Sequence, residues 1–199
     1  MSKTAYDRAL NSVLALEGGY SNDPDDTGGE TYRGIARRFH PYWQGWQIVD
    51  KVKMDVRAEY NTREWVKVLN VRLDNNEDLQ AQVSSFYRSE FWSRFRGDFM
   101  PDPIAEELLD SAVNLGVHRS VSFLQRAMNL FASEPLNIDG VVGRITEERA
   151  NALDESEVRA TVTIMNVLQG MHYIERVEDR PINAKYLKGW LKRVTLEKQ

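Results

Sequence analysis

The chain has 199 residues, 42% hydrophobic and 28% charged, enough to bury a core as one large domain or two small ones. Its formal net charge of −4 lacks the basic excess that general nucleic-acid binding needs to displace counterions. With no cysteine, disulfides, thiolate metal sites and cysteine nucleophiles are excluded, and no run of about 18 apolar residues offers a transmembrane helix.

From the N-terminus, Thr4 to Glu17 predicts a helix. Tyr6, Ala9, Leu10, Val13 and Leu14 recur at three- and four-residue steps and make one apolar face. Thr4 with Asp7 three positions on is an N-terminal capping signal, and Gly18 and Gly19 end the segment. Asp7, Arg8 and Asn11 interrupt the apolar residues, so the stretch has no signal-peptide core. Residues 20–34 are too rich in Gly, Pro, Asp and Asn for a helix and predict turns with a short hairpin.

The junction "LEGGYSNDPDDTGGETYRGIA" concentrates the chemistry. Glu17 stands at the negative end of the helix macrodipole, which disfavours a carboxylate by roughly 0.3–1 kcal/mol. Flanking apolar residues add a desolvation cost. Both effects favour the protonated side chain, which a general acid working near neutral pH must keep. The glycines that follow let a second backbone or a polymer chain come close. Asp25 and Asp26 lie in a polar loop where a carboxylate stays hydrated and ionised. Two carboxyl groups in opposed settings are the pattern of glycosidic bond cleavage, and the hydroxyl of Thr31 is suited to holding a water. A calcium loop is the alternative. Asp23, Asp25, Thr27 and Gly28 fall at EF-hand-like spacing, but the twelfth position is Gly34 and not a bidentate glutamate.

Aromatics follow the loop at Tyr32, Phe39, Tyr42, Trp43 and Trp46, residue types that pack on sugar faces in a glycan cleft and also in ordinary cores. Further helices are predicted from Thr62 ("TREWVKVLNVRL") and Asp78 ("DLQAQVSSFYRSEFWSRF"), where Trp65 and Trp92 occupy apolar packing positions. "RGDFMPDP" breaks the pattern and divides the chain into 1–96 and 97–199, packed into one compact body. "IAEELLDSAVNLG" and "RSVSFLQRAMNLF" then predict two helices, with Asn114 near the end of the first as a C-terminal cap or a residue facing a cleft. "EPLNIDGVVGRIT" is a turn-rich connection in which Thr146 is expected to cap the next helix. A long helix runs to Pro181, and Asn183 opens a last amphipathic segment with Trp190 packed. Lys185, Lys188, Lys192 and Arg193 form either a solvated face or a weak contact to an anionic wall or membrane surface. His40, His118 and His172 match no metal-ligand spacing, and no nucleophile elbow, P-loop or dinucleotide fingerprint is present.

The run Glu17-Gly18-Gly19-Tyr20, Asn22, Pro24, Asp26, Gly28, Gly29, Thr31, Tyr32, Gly34, Ile35 resembles the signature of glycoside hydrolase family 108, peptidoglycan muramidases typical of phage endolysins. The glutamate–aspartate–threonine order is also similar to the catalytic triad of phage lysozymes, with one residue fewer before the threonine. "DSAVNLGVHRSVSFLQRAMN" and "IDGVVGRIT", with Asp139, Gly140, Gly143 and Thr146, resemble the peptidoglycan-binding region that follows such catalytic segments.

The resemblance implies a mainly α, lysozyme-like fold, with residues 1–96 catalytic and 97–199 wall-binding. It implies hydrolysis of the β-1,4 bond between N-acetylmuramic acid and N-acetylglucosamine, without metal or cofactor. Glu17, Asp26 and Thr31 are the implied catalytic residues. Tyr20, Tyr32, Trp46 and Asn114 are candidate substrate contacts. Peptidoglycan strands are the expected partner, nucleic acid is not, and the protein is expected to be monomeric. It is expected to be made in the cytoplasm and to reach the wall through a holin-type or other release. A lytic transglycosylase and a non-catalytic wall-binding protein are the rival readings.

Overall fold

The computed structural model describes residues 3–22, 29–59 and 65–194. They form two compact units, one holding residues 11–88 and the other residues 1–10 and 89–199. The division thus falls before residue 89, earlier than the expected 96/97 break, and the first ten residues join the later part of the chain. Aromatic packing is the cause. Tyr6 meets Trp92 edge-on with centroids 5.2 Å apart, Trp92 meets Phe95 at 5.6 Å, and all three are buried. Arg8 adds bonds to Asp102 at 2.7 Å and Glu106 at 2.8 Å.

Helix α1 (Ala5–Leu16) starts in the second unit and ends in the first. Its expected cap forms: Thr4 Oγ1 accepts the Asp7 N–H, and Asp7 Oδ2 accepts the Thr4 N–H, each at 3.1 Å. In residues 11–88 the chain then builds a three-stranded antiparallel sheet in the order β1 (Tyr20–Asn22), β2 (Glu30–Tyr32), β3 (Ile35–Ala36). Tyr20 pairs with Tyr32 and Ser21 with Thr31, while Tyr32 pairs with Ile35. Arg33 (φ 48°) and Gly34 (φ 76°) are the whole β2–β3 turn, and two successive positive φ values give it the hand that matches strand twist.

Three helices complete this unit: α2 (Gly45–Glu59), α3 (Trp65–Asp74) and α4 (Glu77–Tyr87). The sequence reading did not identify α2. Its buried apolar side chains among the described residues are Trp46, Val49 and Val56, a stripe too narrow to stand out among charged residues. The single helix expected from residue 78 is divided. Asn76 caps α4 by accepting the Leu79 N–H at 2.9 Å, α4 ends at Tyr87, and a π-turn over Arg88–Trp92 follows.

The second unit contains α5 (Asp102–Leu115), α6 (Val117–Asn129), α7 (Arg144–Asn151), α8 (Glu155–Asp179) and α9 (Ala184–Trp190). Helices α5, α6 and α8 pack on one another around Ile104, Leu108, Leu109, Val121, Leu124 and Met165. Asp154 and Glu157 cap α8 reciprocally. Thr146 is not the expected cap. Helix α7 begins at Arg144 behind Gly143, and buried Thr146 accepts from the Gln125 amide at 3.4 Å.

The buried side of α8 mixes Val158, Met165 and Tyr173 with the polar Thr161, Asn166 and Gln169. Such groups need partners indoors. Asn166 Nδ2 donates to Glu107 at 2.7 Å, and Gln169 Nε2 donates to the Tyr173 hydroxyl at 2.8 Å. Burial pushes the Glu107 carboxyl up to about 8, helped by Asp110 and opposed by the Asn166 bond. Arg193 pairs with Asp110 at 2.8 Å with 9% of its side chain exposed. It therefore leaves the basic C-terminal cluster, in which Lys185, Lys188 and Lys192 remain exposed.

Candidate active site

Glu17 follows α1 directly, and its N–H still donates to Val13 O at 3.1 Å. The helix therefore fixes the backbone of Glu17 while its side chain leaves the last turn, half-buried. The β2–β3 turn meets it there. A Cβ on Gly34 would lie 2.8 Å from Glu17 Oε2 and 2.7 Å from the Tyr87 hydroxyl. The acid, the turn backbone and a phenol thus converge on one point, a fit open only to glycine.

The turn is anchored on several sides. Tyr87 Oη donates to Arg33 O at 2.8 Å. Arg33 pairs with Asp74 at 2.7 Å and donates to Leu14 O at 3.3 Å, a cation on the carbonyl end of α1. Tyr32 Oη donates to Asp74 Oδ1 at 3.1 Å and accepts from Gln80 at 3.0 Å. At Gly19 the close approach comes from a side chain and not from a second backbone. A Cβ there would meet Asn70 Oδ1 at 2.2 Å, the same oxygen that accepts the Tyr20 N–H at 2.6 Å.

Glu30 is the carboxylate that the structure commits to packing. It takes Arg37 Nε at 2.6 Å, the Tyr20 hydroxyl at 2.7 Å and the Lys53 ammonium. Burial would raise its carboxyl, but Lys53 and Tyr20 outweigh burial and hold it below the usual range. Arg37 also bonds Asp50 at 2.6 Å and lies 4.3 Å above the Trp46 ring. Strand β2 is thereby tied to α2 by a neutralised cluster.

Thr31, the third implied catalytic residue, is half-buried in β2, and its hydroxyl donates to Gly29 O at 3.1 Å. Asp26, with Asp23, Asp25, Thr27 and Gly28 of the calcium alternative, lies outside the described residues. The expected substrate aromatics fare differently. Tyr20 (6% exposed), Tyr32 (0%) and Trp46 (3%) are packed inside, so their ring faces are closed to a sugar. Asn114 belongs to the other unit. It is not a cap, since α5 runs to Leu115 and Gly116 closes it, and its Oδ1 accepts from the Tyr173 hydroxyl at 3.2 Å.

A different aromatic group adjoins Glu17. Tyr87 meets Phe86 at 5.6 Å, Phe86 meets His40 at 4.7 Å and Trp43 at 6.3 Å, and Trp43 meets Trp46 at 5.2 Å. Half-buried Trp43 and Phe86 continue this ladder to the surface, and exposed Tyr42 (90%) and Phe39 (67%) flank His40 in sequence. Tyr87 and Phe86 escaped the sequence reading because a helix-borne aromatic pair looks like core. What distinguishes Tyr87 is that its hydroxyl and Glu17 meet at Gly34, which only the fold creates.

The family model described as Glycosyl hydrolase 108 matches residues 10–116, and the model described as Predicted Peptidoglycan domain matches residues 119–195. No curated protein matches the chain. Among solved structures, that of Brucella abortus SagA is similar at 20% identity and a TM-score of 0.57. The alignment covers 97% of this chain and 91% of that one, and the likeness carries the lysozyme-like, mainly α fold.

Proposed function

The chain belongs to the glycosyl hydrolase 108 family, glycoside hydrolases acting on peptidoglycan, and from that premise we propose the bond and the acid. The bond is the β-1,4 linkage between N-acetylmuramic acid and N-acetylglucosamine, and Glu17 protonates its bridging oxygen. The observation that supports this reading is the seat of Glu17. Glu17 is half-buried at the helix end, and its Oε2 and the Tyr87 hydroxyl both crowd the Gly34 turn. A confined acid delivers its proton along one direction, which is what general acid catalysis requires. Asp26 is the second carboxylate, activating a water or facing the oxocarbenium-like charge, and Thr31 holds that water. Substrate stacking passes from the buried Tyr20, Tyr32 and Trp46 to Trp43 and Tyr42.

Replacing Glu17 by Gln keeps the shape and removes the proton. Release of reducing ends from purified sacculi is expected to fall by about 10²–10⁴, the usual worth of a positioned acid, while sacculus binding persists. Equal clearing of a turbid sacculus suspension by wild type and Glu17→Gln would falsify the assignment. Product masses carry the bond. Hydrated muramic ends support hydrolysis, whereas products lighter by one water indicate transglycosylation. Release to the wall as an endolysin belongs to the same proposal. It predicts that cytoplasmic expression lyses cells only when a pore-forming partner is co-expressed.

A further inference from the structure

The second unit carries a surface cleft of about 380 Å³ beside the connection from α6 to α7, within the range of ligand sites. Leu136, Val141 and Ile145 supply its apolar wall, and Asp139, Arg144 and Thr146 its polar groups. Val141 is 58% exposed and Ile145 65% exposed, with Ile138 (49%) next to them. Apolar side chains held out in water call for an occupant when they form a patch.

Two amides on one face of α6 hold this connection rigid. Gln125 Nε2 donates to Asp139 Oδ1 at 2.8 Å and to Val141 O at 3.1 Å, and its Oε1 accepts the Gly140 N–H at 2.9 Å. One turn further, Asn129 bonds both the N–H (2.7 Å) and the carbonyl (2.9 Å) of Leu136. The Gln125 amide, then the Val141 N–H, keeps the Asp139 carboxyl below its usual range, so it is anionic. A loop fixed in advance loses little entropy when it binds.

The chemistry of the cleft selects among parts of peptidoglycan. Sugar faces call for aromatic rings, and among the described residues no Phe, Tyr or Trp lines it. What lines it is a methyl-rich wall, one guanidinium and one carboxylate. Among the described residues, the ion pair of Arg144 is with Glu148 at 3.4 Å, and 84% of its side chain is exposed. That set matches a short peptide of small apolar residues that carries free carboxylate and amino groups. We infer that this cleft binds the stem peptide of peptidoglycan, with Arg144 on a carboxylate and Val141 and Ile145 against alanine methyls. The inference rests on the reading of the chain as a peptidoglycan hydrolase, and names the part of the wall that its second unit grips.

Cosedimentation of the full chain with sacculi at low temperature tests it, with Arg144→Glu, Ile145→Asp and Arg144→Lys compared to wild type. Both replaced side chains are exposed, and circular dichroism checks that each variant is folded. Arg144→Glu and Ile145→Asp are each expected to weaken binding about tenfold or more, and Arg144→Lys by less. Wild type is expected to bind peptide-stripped glycan strands as poorly as Arg144→Glu binds intact sacculi, and free stem peptide to compete. Unchanged binding by the folded Arg144→Glu and Ile145→Asp variants overturns the inference, as does equal binding of stripped and intact strands. In either case fragment release by wild type still supports the hydrolase reading. Absence of any fragment release is the separate result that removes that reading.

Discussion

At the scale of single residues, the contact of Gly34 with Glu17 and Tyr87 is the most exacting. A methyl there meets two polar atoms inside 3 Å, and the φ of 76° adds roughly 1–2 kcal/mol of backbone cost for an L-residue. Gly34→Ala is therefore expected to displace the acid as well as strain the turn. Its kcat should drop by more than tenfold while the melting temperature falls only modestly, as measured on sacculi and by calorimetry. A loss of stability with unchanged kcat would separate the turn from the chemistry. Tyr87→Phe keeps the ring and removes the hydroxyl bond to Arg33 O, so a smaller drop in kcat is expected by the same assay. The seat of Glu17, at a helix end before paired glycines, was legible in sequence. Its confinement was not, because Gly34 and Tyr87 come from a hairpin tip and a distant helix that share no local pattern with it. The buried tyrosines mark the opposite failure. An aromatic beside a catalytic loop reads the same whether its ring lines a cleft or seals a sheet, and burial alone decides.

Among the elements, α8 carries the clearest pH dependence. Glu107 faces it from α5 with its carboxyl raised from 4.5 to about 8 by burial. A group raised on folding favours the folded state below its unfolded value and withdraws that support as pH climbs through the folded one. Stability of the second unit should accordingly decline between about pH 4.5 and 8. Glu107→Gln retains an acceptor for Asn166 and cannot ionise. Denaturant titrations should find it more stable than wild type at pH 8, by on the order of a few kcal/mol, with a flatter pH profile. Equal slopes would mean that Glu107 ionises freely in the fold. Helices with broad apolar faces and strong caps, such as α1, were legible from spacing alone. Helix α2 was not, because Trp46, Val49 and Val56 among charges give a faint period. The π-turn after α4 was hidden because a widened turn leaves the apolar spacing nearly intact.

For the whole molecule, sequence families and compact units divide the chain differently. The peptidoglycan-domain match starts at residue 119, yet α6 and α8 pack on α5, which lies before that point. A fragment of residues 119–199 lacks the α5 side of its core, with Glu107 that accepts from Asn166 and Asp110 that pairs with Arg193. It is expected to be largely unfolded by circular dichroism, and a fragment starting at residue 89 partly folded. Restoring residues 1–10 to the latter should raise its melting temperature, because Tyr6 covers Trp92. A stable, cooperatively melting 119–199 fragment would show that the family boundary is also a folding boundary. The grip of Gln125 and Asn129 on the connection from α6 to α7 reaches beyond this one chain. Because both anchors bond main-chain atoms and Asp139, the outward side chains at 138, 141 and 145 are not needed to keep the loop in shape. Such a scaffold can exchange its recognition surface while its architecture stays constant, so relatives that meet differently built walls need alter only those outward positions.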